Sequence, residues 1–260
     1  KYRKWTSRNQ QHEVQITAQA TYQACSWYNV TSQFELITID VWDTLLRRKC
    51  HPDAVKKYVS NFLLNNYFAK IRPAYLESSK LTEARQSAEG QIGENYRSSG
   101  MDDEYGLLEV YRLWLEIVFK TTDNTEIILH ELQMVEMDQE KHVIYADPDI
   151  EHFLSSYHSH SRVFVSDFYM GAENIMELIH HVRLNHLVSR GYSSCEHYLN
   201  KRSGRFFEFV LNSENVNASS VLHIGDNLHS DVKVPKRLGI ESIQYLPKVE
   251  SEFRDTLKRE

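Results

Sequence analysis

Short apolar runs and longer periodic stretches divide the chain into a few recognisable pieces. Residues 1–33 are polar, rich in Gln, Thr and Ser, with weak periodicity, and read as a lead-in segment or linker. A nearly continuous apolar run then appears at Glu35–Asp40, with Leu36, Ile37 and Ile39 inside it. A run of this kind suits a strand buried on both faces, as in a parallel sheet. "RVFVSD" (162–167), "SVLHIGD" (220–226) and "ESIQYL" (241–246) repeat the pattern, and "HLVSRG" (186–191) repeats it more weakly. Helical patterns separate them, in "GAENIMELIHHVR", "GRFFEFVLNSENV" and "DVKVPKRLG". Strand–helix alternation predicts βαβ units, hence an α/β fold with a Rossmann-like, doubly wound parallel sheet.

The stretch from 50 to 150 breaks that alternation. It shows no convincing strand and reads as helices, in "PDAVKKYVSNFLLNNYFAKI", "AYLESSKLTEARQSAEG", "EYGLLEVYRLWLEIVF" and "EIILHELQMVEMDQEKHV". Leu107, Val110, Tyr111, Trp114 and Val118 recur at helical spacing, and such a stripe is predicted to be core. The predicted organisation is therefore an α/β core built from residues 34–49 and 146–260, with an all-helical cap over 50–145 inserted after the first strand.

Composition narrows the picture without changing it. The chain has 260 residues, 41% of them hydrophobic and 25% charged, as in an ordinary globular protein. A net charge of −6 gives no electrostatic case for nucleic acid. No apolar run approaches the roughly 20 residues that span a bilayer, so no transmembrane segment is expected. Cys25, Cys50 and Cys195 are scattered and odd in number, which reads as free thiols in a reducing cytoplasm.

Ligands of an open parallel sheet bind at the carboxyl ends of its strands. The residues standing there are Asp40, then Ser166 and Asp167, then Asp226 with Asp231 beyond it, while Lys201 precedes the helix before the "SVLHIGD" strand. Carboxylates gathered in a small space repel one another unless a divalent cation joins them, and Mg²⁺ takes oxygen ligands while keeping waters for phosphate to replace. A carboxylate can also attack phosphorus, with a hydroxyl and an ammonium holding the phosphoryl oxygens. Each residue also has a plainer role: Asp40 and Asp226 can cap turns, and Lys201, with Arg202 and Arg205 beside it, can be a solvated loop cation.

The order of these residues resembles the haloacid dehalogenase (HAD) superfamily. Its motifs are an aspartate nucleophile in a DxDx[TV] loop, a strand-end Ser or Thr, a Lys and an acidic GDxxxxD pair. "DVWDTLLRR", "VSDFYMG", "NKRSGRFFEF" and "VLHIGDNLHSD" stand in those places. The resemblance implies catalytic Asp40, Thr44, Ser166 and Lys201. It implies substrate binding by Ser166, Asp167, Lys201 and Arg202, and Mg²⁺ held by Asp40, the Trp42 carbonyl, Asp226 and Asp231. It also implies a helical cap and a cytoplasmic phosphatase forming an aspartyl phosphate. Within the superfamily the run looks most like domains fused to glycosyltransferases in bacterial capsule and surface-polysaccharide synthesis. That implies a sugar, polyol or glycan phosphate as substrate and covalently linked transferase domains. One position departs from the pattern. Two residues after the nucleophile, where the phosphatases carry an acid, this chain has Trp42, which cannot protonate a leaving group. Asp43 and cap residues are alternative acids. Three rival readings stay open: a dehalogenase-like hydrolase, which Trp42 fits; a non-catalytic module serving a polymerase; and a kinase or phosphotransferase, against which stands the lack of a Gly-rich phosphate loop.

Overall fold

The structure is a computed structural model that describes residues 34–123 and 125–247. The predicted lead-in over residues 1–33, with Cys25, lies outside the described residues, as do residues 248–260 of the predicted core. Strand β1 (Phe34–Ile39) leads through a tight loop into β2 (Leu46–Arg48). Four helices follow: α1 (Pro52–Tyr67), α2 (Ser78–Ser98), α3 (Leu107–Val118) and α4 (Thr125–Val143). Strand β3 (Ile144–Ala146) and a short helix α5 (Ile150–Leu154) return the chain to the sheet. Then β4 (Ser159–Ser166), α6 (Ala172–His181), β5 (Arg190–Ser193), α7 (Arg205–Glu214) and β6 (Val221–Gly225) alternate. A π-helical turn (Leu228–Lys233), helix α8 (Val234–Arg237) and strand β7 (Glu241–Gln244) complete the described chain.

The main sheet has the order β5-β4-β1-β6-β7, and all its pairings are parallel. Both faces of β1 are buried, which explains its unbroken apolar run. Leu36, Val163 and Val165 pack with Phe206, Phe207 and Val210 of α7, while Ile37, Ile39 and Phe164 belong to the cluster with Ile175, Leu178 and Ile179 of α6. The chain builds outward from β1 to β5 on one side and from β6 to β7 on the other. The direction therefore reverses beside β1, the place where such sheets open a crevice. Ile39 pairs with Phe164 and with Ile224, so Asp40, Ser166 and Asp226 emerge together at one edge.

The helical insertion buries its apolar residues in the same cluster as Ile37, Ile39 and Phe164 of the sheet, and the predicted stripe on α3 is buried at Leu107, Val110, Tyr111, Trp114 and Val118. The Trp114 indole N–H reaches the Leu81 carbonyl of α2 at 2.8 Å, the pairing a buried Trp requires.

Three sequence expectations need correction. The stretch from 50 to 150 does hold a strand: β3 pairs antiparallel with β2, Leu46 facing Ala146 and Arg48 facing Ile144. Three residues are too few to show a period of two. The second predicted helix starts at Ser78 rather than Ala74 and runs on through Gly90 and Gly93 to Ser98, after a separate 3₁₀ turn at Pro73–Tyr75. The weak strand at 186–191 lies a few residues later, at Arg190–Ser193. There Gly191 is required, because a Cβ would stand 2.2 Å from the Phe164 ring.

Candidate active site

Asp40 is fixed from both sides at the end of β1. Its N–H donates to the Ile224 carbonyl at 2.8 Å, and its carboxylate accepts the Thr44 hydroxyl at 3.2 Å. The loop between them is tight: the Val41 carbonyl accepts the N–H groups of both Leu45 (2.9 Å) and Leu46 (2.8 Å). Asp43 sits at its crest with a positive φ of 59°. That is left-handed backbone, which glycine adopts freely and which Asp tolerates better than most residues. The Asp43 side chain is exposed, while Thr44 is fully buried.

Lys201 is the cation of the site. Its ammonium donates to Asp40 Oδ1 at 2.5 Å and to Asp231 Oδ1 at 2.7 Å, and the residue is buried. Its backbone N–H is held by the Asp167 carboxylate at 3.0 Å, so Asp167 positions the loop that delivers the lysine. The neighbouring cations diverge: Arg202 pairs with Asp103 at 2.7 Å and Arg205 with Asp102 at 3.1 Å. Of the three basic residues on that loop, only Lys201 reaches the strand ends, and Arg202 instead lines the cleft toward the helical insertion. Ser166 is completely buried at the end of β4, and its hydroxyl has no partner. A buried orphan hydroxyl costs free energy that a ligand's oxygen can recover.

The acidic loop after β6 completes the site. Asp226 is half-buried and Asp231 is buried. One Asp231 oxygen accepts Lys201, and the other accepts the Asn227 N–H at 2.9 Å. Asn227 caps the π-helical turn by accepting the N–H groups of His229 and Ser230. Gly225 permits this packing, since a Cβ there would stand 2.5 Å from Asp231 Cγ. His223 is a partner that sequence reasoning missed. Fully buried within β6, it spans Thr38 Oγ1 (2.8 Å) and Asp231 Oδ1 (3.2 Å). Burial holds its pKa below the usual imidazole value. The neutral tautomer that satisfies both contacts donates from Nε2 to Asp231 and accepts at Nδ1.

The charges do not balance. Burial holds the Asp40 carboxyl above the usual carboxylate range against the pull of Lys201. It pushes Asp226 up to about 6, with Asp231 and Asp43 adding repulsion. Asp231 goes the other way: burial opposes its charge, but Lys201 and His223 hold it well below the usual carboxylate range. Asp40, Asp226 and Asp231 each offer a carboxylate oxygen, and these atoms lie within 4.8 Å of one another. Three carboxylates facing one ammonium, with oxygen as the donor throughout, fit a hard divalent cation of the Mg²⁺ type.

Trp42 departs from simple loop chemistry. Its ring lies beneath the Arg48 guanidinium, 3.4 Å from the ring centre, and 4.7 Å from the Phe168 ring. Glu140 of α4 anchors that guanidinium through two hydrogen bonds of 2.8 and 2.9 Å. The helical insertion thus grips the loop after β1 through a cation–π stack. The Trp42 indole N–H is buried without a partner. Beside the site a cavity of about 350 Å³ opens between the two lobes, lined by Asp103, Glu104, Tyr105, Asp167, Phe168, Tyr169 and Arg202.

No protein-family model matches the chain, and no curated protein matches it. Solved structures do match. A 2-haloacid dehalogenase from Pseudomonas syringae pv. Tomato DC3000 superposes with a TM-score of 0.56 at 15% identity, over 87% of this chain and 99% of that one. A HAD family enzyme from Bacteroides thetaiotaomicron gives 0.51 at 11% identity, over 84% and 96% of the two chains. A haloacid dehalogenase-like family hydrolase from Xanthomonas campestris gives 0.50 at 13% identity, over 87% and 91%. At such identities the likeness is one of fold, and the fold of this chain is that of the HAD-superfamily hydrolases.

Proposed function

We propose that this chain is a Mg²⁺-dependent phosphatase that hydrolyses a phosphomonoester of a sugar, polyol or growing glycan through an aspartyl phosphate on Asp40. The observation that carries the reading is the buried cluster in which Asp40 meets Lys201 at 2.5 Å and shares a site with Asp226 and Asp231. An Asp40 oxygen attacks phosphorus, while Thr44 and Lys201 fix the carboxylate's direction. The unpartnered Ser166 hydroxyl and the Lys201 ammonium are the groups available to the phosphoryl oxygens. Mg²⁺, held by Asp40, Asp226 and Asp231 with the Trp42 carbonyl, would neutralise charge on the phosphoryl group. Water then releases phosphate from Asp40.

A polyhydroxylated leaving group is supported by the adjoining cavity, where the Asp103, Glu104 and Asp167 carboxylates and the Tyr105, Phe168 and Tyr169 rings supply acceptors and flat faces. The motif run's resemblance to domains linked to glycosyltransferases supports a place beside such transferase domains in glycan synthesis. The free thiols of Cys50 and Cys195 support a cytoplasmic setting.

A carbon-centre hydrolase is the second reading. Trp42 favours it, as does the similar 2-haloacid dehalogenase structure. The test offers the protein a panel of sugar and polyol phosphates, with Mg²⁺ or with chelator, and 2-haloacids in parallel. Phosphate release that needs Mg²⁺ and vanishes in Asp40→Asn supports the phosphatase. Halide release in chelator, without phosphate release, replaces it with the dehalogenase.

A further inference from the structure

A sugar or polyol leaves as an alkoxide unless a proton reaches its oxygen, and Trp42 holds no proton it can give. The carboxyls near Asp40 are mostly engaged. Asp226 and Asp231 belong to the cation cluster, Asp167 holds the Lys201 backbone, and Asp43 projects into solvent. Glu104 lies outside the cation cluster. It comes from the segment between α2 and α3, lines the cavity between the lobes together with Asp167, and accepts the Ser194 hydroxyl through one oxygen at 2.6 Å. Ser194 is itself fully buried and tied to Phe168, whose N–H it accepts at 3.0 Å, so the carboxyl hangs from a fixed point of the core.

Resting on the phosphatase reading, we infer that Glu104 is the general acid and base of the reaction, supplied by the insertion in place of the acid missing at Trp42. As Asp40 attacks, the P–O bond to the leaving group breaks, and its electron pair takes the proton of the Glu104 carboxyl. In the second half a water gives its proton to the Glu104 carboxylate and its oxygen to phosphorus. The Asp40–phosphorus bond breaks, returning the Asp40 carboxylate and inorganic phosphate. The balance needs nothing beyond water. The surroundings suit proton transfer near neutrality, since burial pushes Glu104 up to about 7, opposed by the Ser194 hydrogen bond and raised further by Asp167. Asn200 and Arg202 pull it down, and Tyr105 and Cys195 lie within its field.

The test compares Glu104→Gln and Ser194→Ala with the parent, in Mg²⁺, on an alkyl phosphate from the active panel and on p-nitrophenyl phosphate, whose leaving group needs no proton. In Glu104→Gln we expect alkyl phosphate turnover to fall by about 10²–10⁴-fold, a retained burst of nitrophenolate with slow steady release, and loss of the alkaline limb near pH 7. Ser194→Ala keeps the carboxyl but removes the donor that favours its charged form, so the limb moves to higher pH. An equal loss of burst and turnover on both substrates in Glu104→Gln, or an unmoved limb in Ser194→Ala, overturns the assignment of Glu104. Absence of phosphate release from both substrates in the parent overturns the phosphatase reading instead.

Discussion

Two of the buried charge networks among the described residues, one in each lobe, are built to different rules. In the helical insertion, Arg85 of α2 is fully buried and makes a two-pronged pair with Glu136 of α4 at 2.7 and 2.8 Å. Its Nε reaches Glu89 at 3.1 Å, Lys56 of α1 meets the same carboxylate at 2.7 Å, and the Tyr111 hydroxyl donates to Glu136. Two cations face two anions, and the partners saturate one another. At the sheet edge three carboxylates face one ammonium, and the Ser166 hydroxyl and Trp42 indole are left without partners. The first network is closed and serves packing and register. The second is open, and under the proposed function its deficit is where a cation and a phosphoryl group would sit. A balanced buried cluster costs stability when broken. An unbalanced one costs stability while it stands, and natural proteins keep that cost where activity needs it.

The largest effect should come from the open network. Asp40→Asn is expected to lower turnover by about 10⁴-fold or more, while leaving the urea midpoint in chelator unchanged or higher, because a surplus charge is gone. A lower midpoint would mean that the cluster holds the fold after all. Glu136→Ala should do the reverse: removing one partner strands Arg85, at a cost of about 3–5 kcal/mol in denaturant titration, with the chemistry intact in whatever remains folded. Gly225→Ala tests how tightly the open cluster is placed. Its new Cβ would displace Asp231, and a shift of about 1 Å costs on the order of 10² in rate, readable as a fall in kcat at saturating Mg²⁺.

Acid should separate the networks as well. Burial opposes the charge of Glu136, but Arg85 outweighs it and holds the native pKa below the usual value. The stability this pair lends is therefore complete above the unfolded carboxylate pKa of about 4.5 and drains away as pH falls through the lowered native value. Thermal melts between about pH 5 and pH 2 should thus be flatter for Glu136→Gln than for the parent. The smallest effect is expected at Asp43→Asn. Its side chain is exposed and Asn accepts left-handed backbone, so turnover should stay within about twofold of the parent, whereas general acid work would cost about 10²-fold.

The sequence made the open network easier to foresee than the closed one. Asp40 and Asp226 follow strands, and Ser166 ends one, whose last residues are buried, so an apolar run ends at each of them and marks the edge. The order of residues then pointed to Lys201 over its basic neighbours, although only the fold separates it from Arg202 and Arg205. His223 escaped notice because it sits inside "SVLHIGD" as one more strand residue, and its role depends on Thr38 in the next strand. Arg85, Glu136 and Glu140 look like solvated helix charges until α2 and α4 are packed. Glu104 with Ser194, and Arg48 with Trp42, join segments that no periodicity links. The β2–β3 pair is too short to leave any pattern.

That pair has a consequence for how such a molecule can change. Arg48 and Ile144 face each other across it, so the chain leaves the sheet and comes back through a single narrow doorway. Whatever hangs beyond can be lengthened, trimmed or exchanged for another graft without shifting Asp40 relative to the neighbouring strand ends. A new lobe would inherit the strand-end cluster and, under the proposed function, need only bring its own grip on the loop and its own proton.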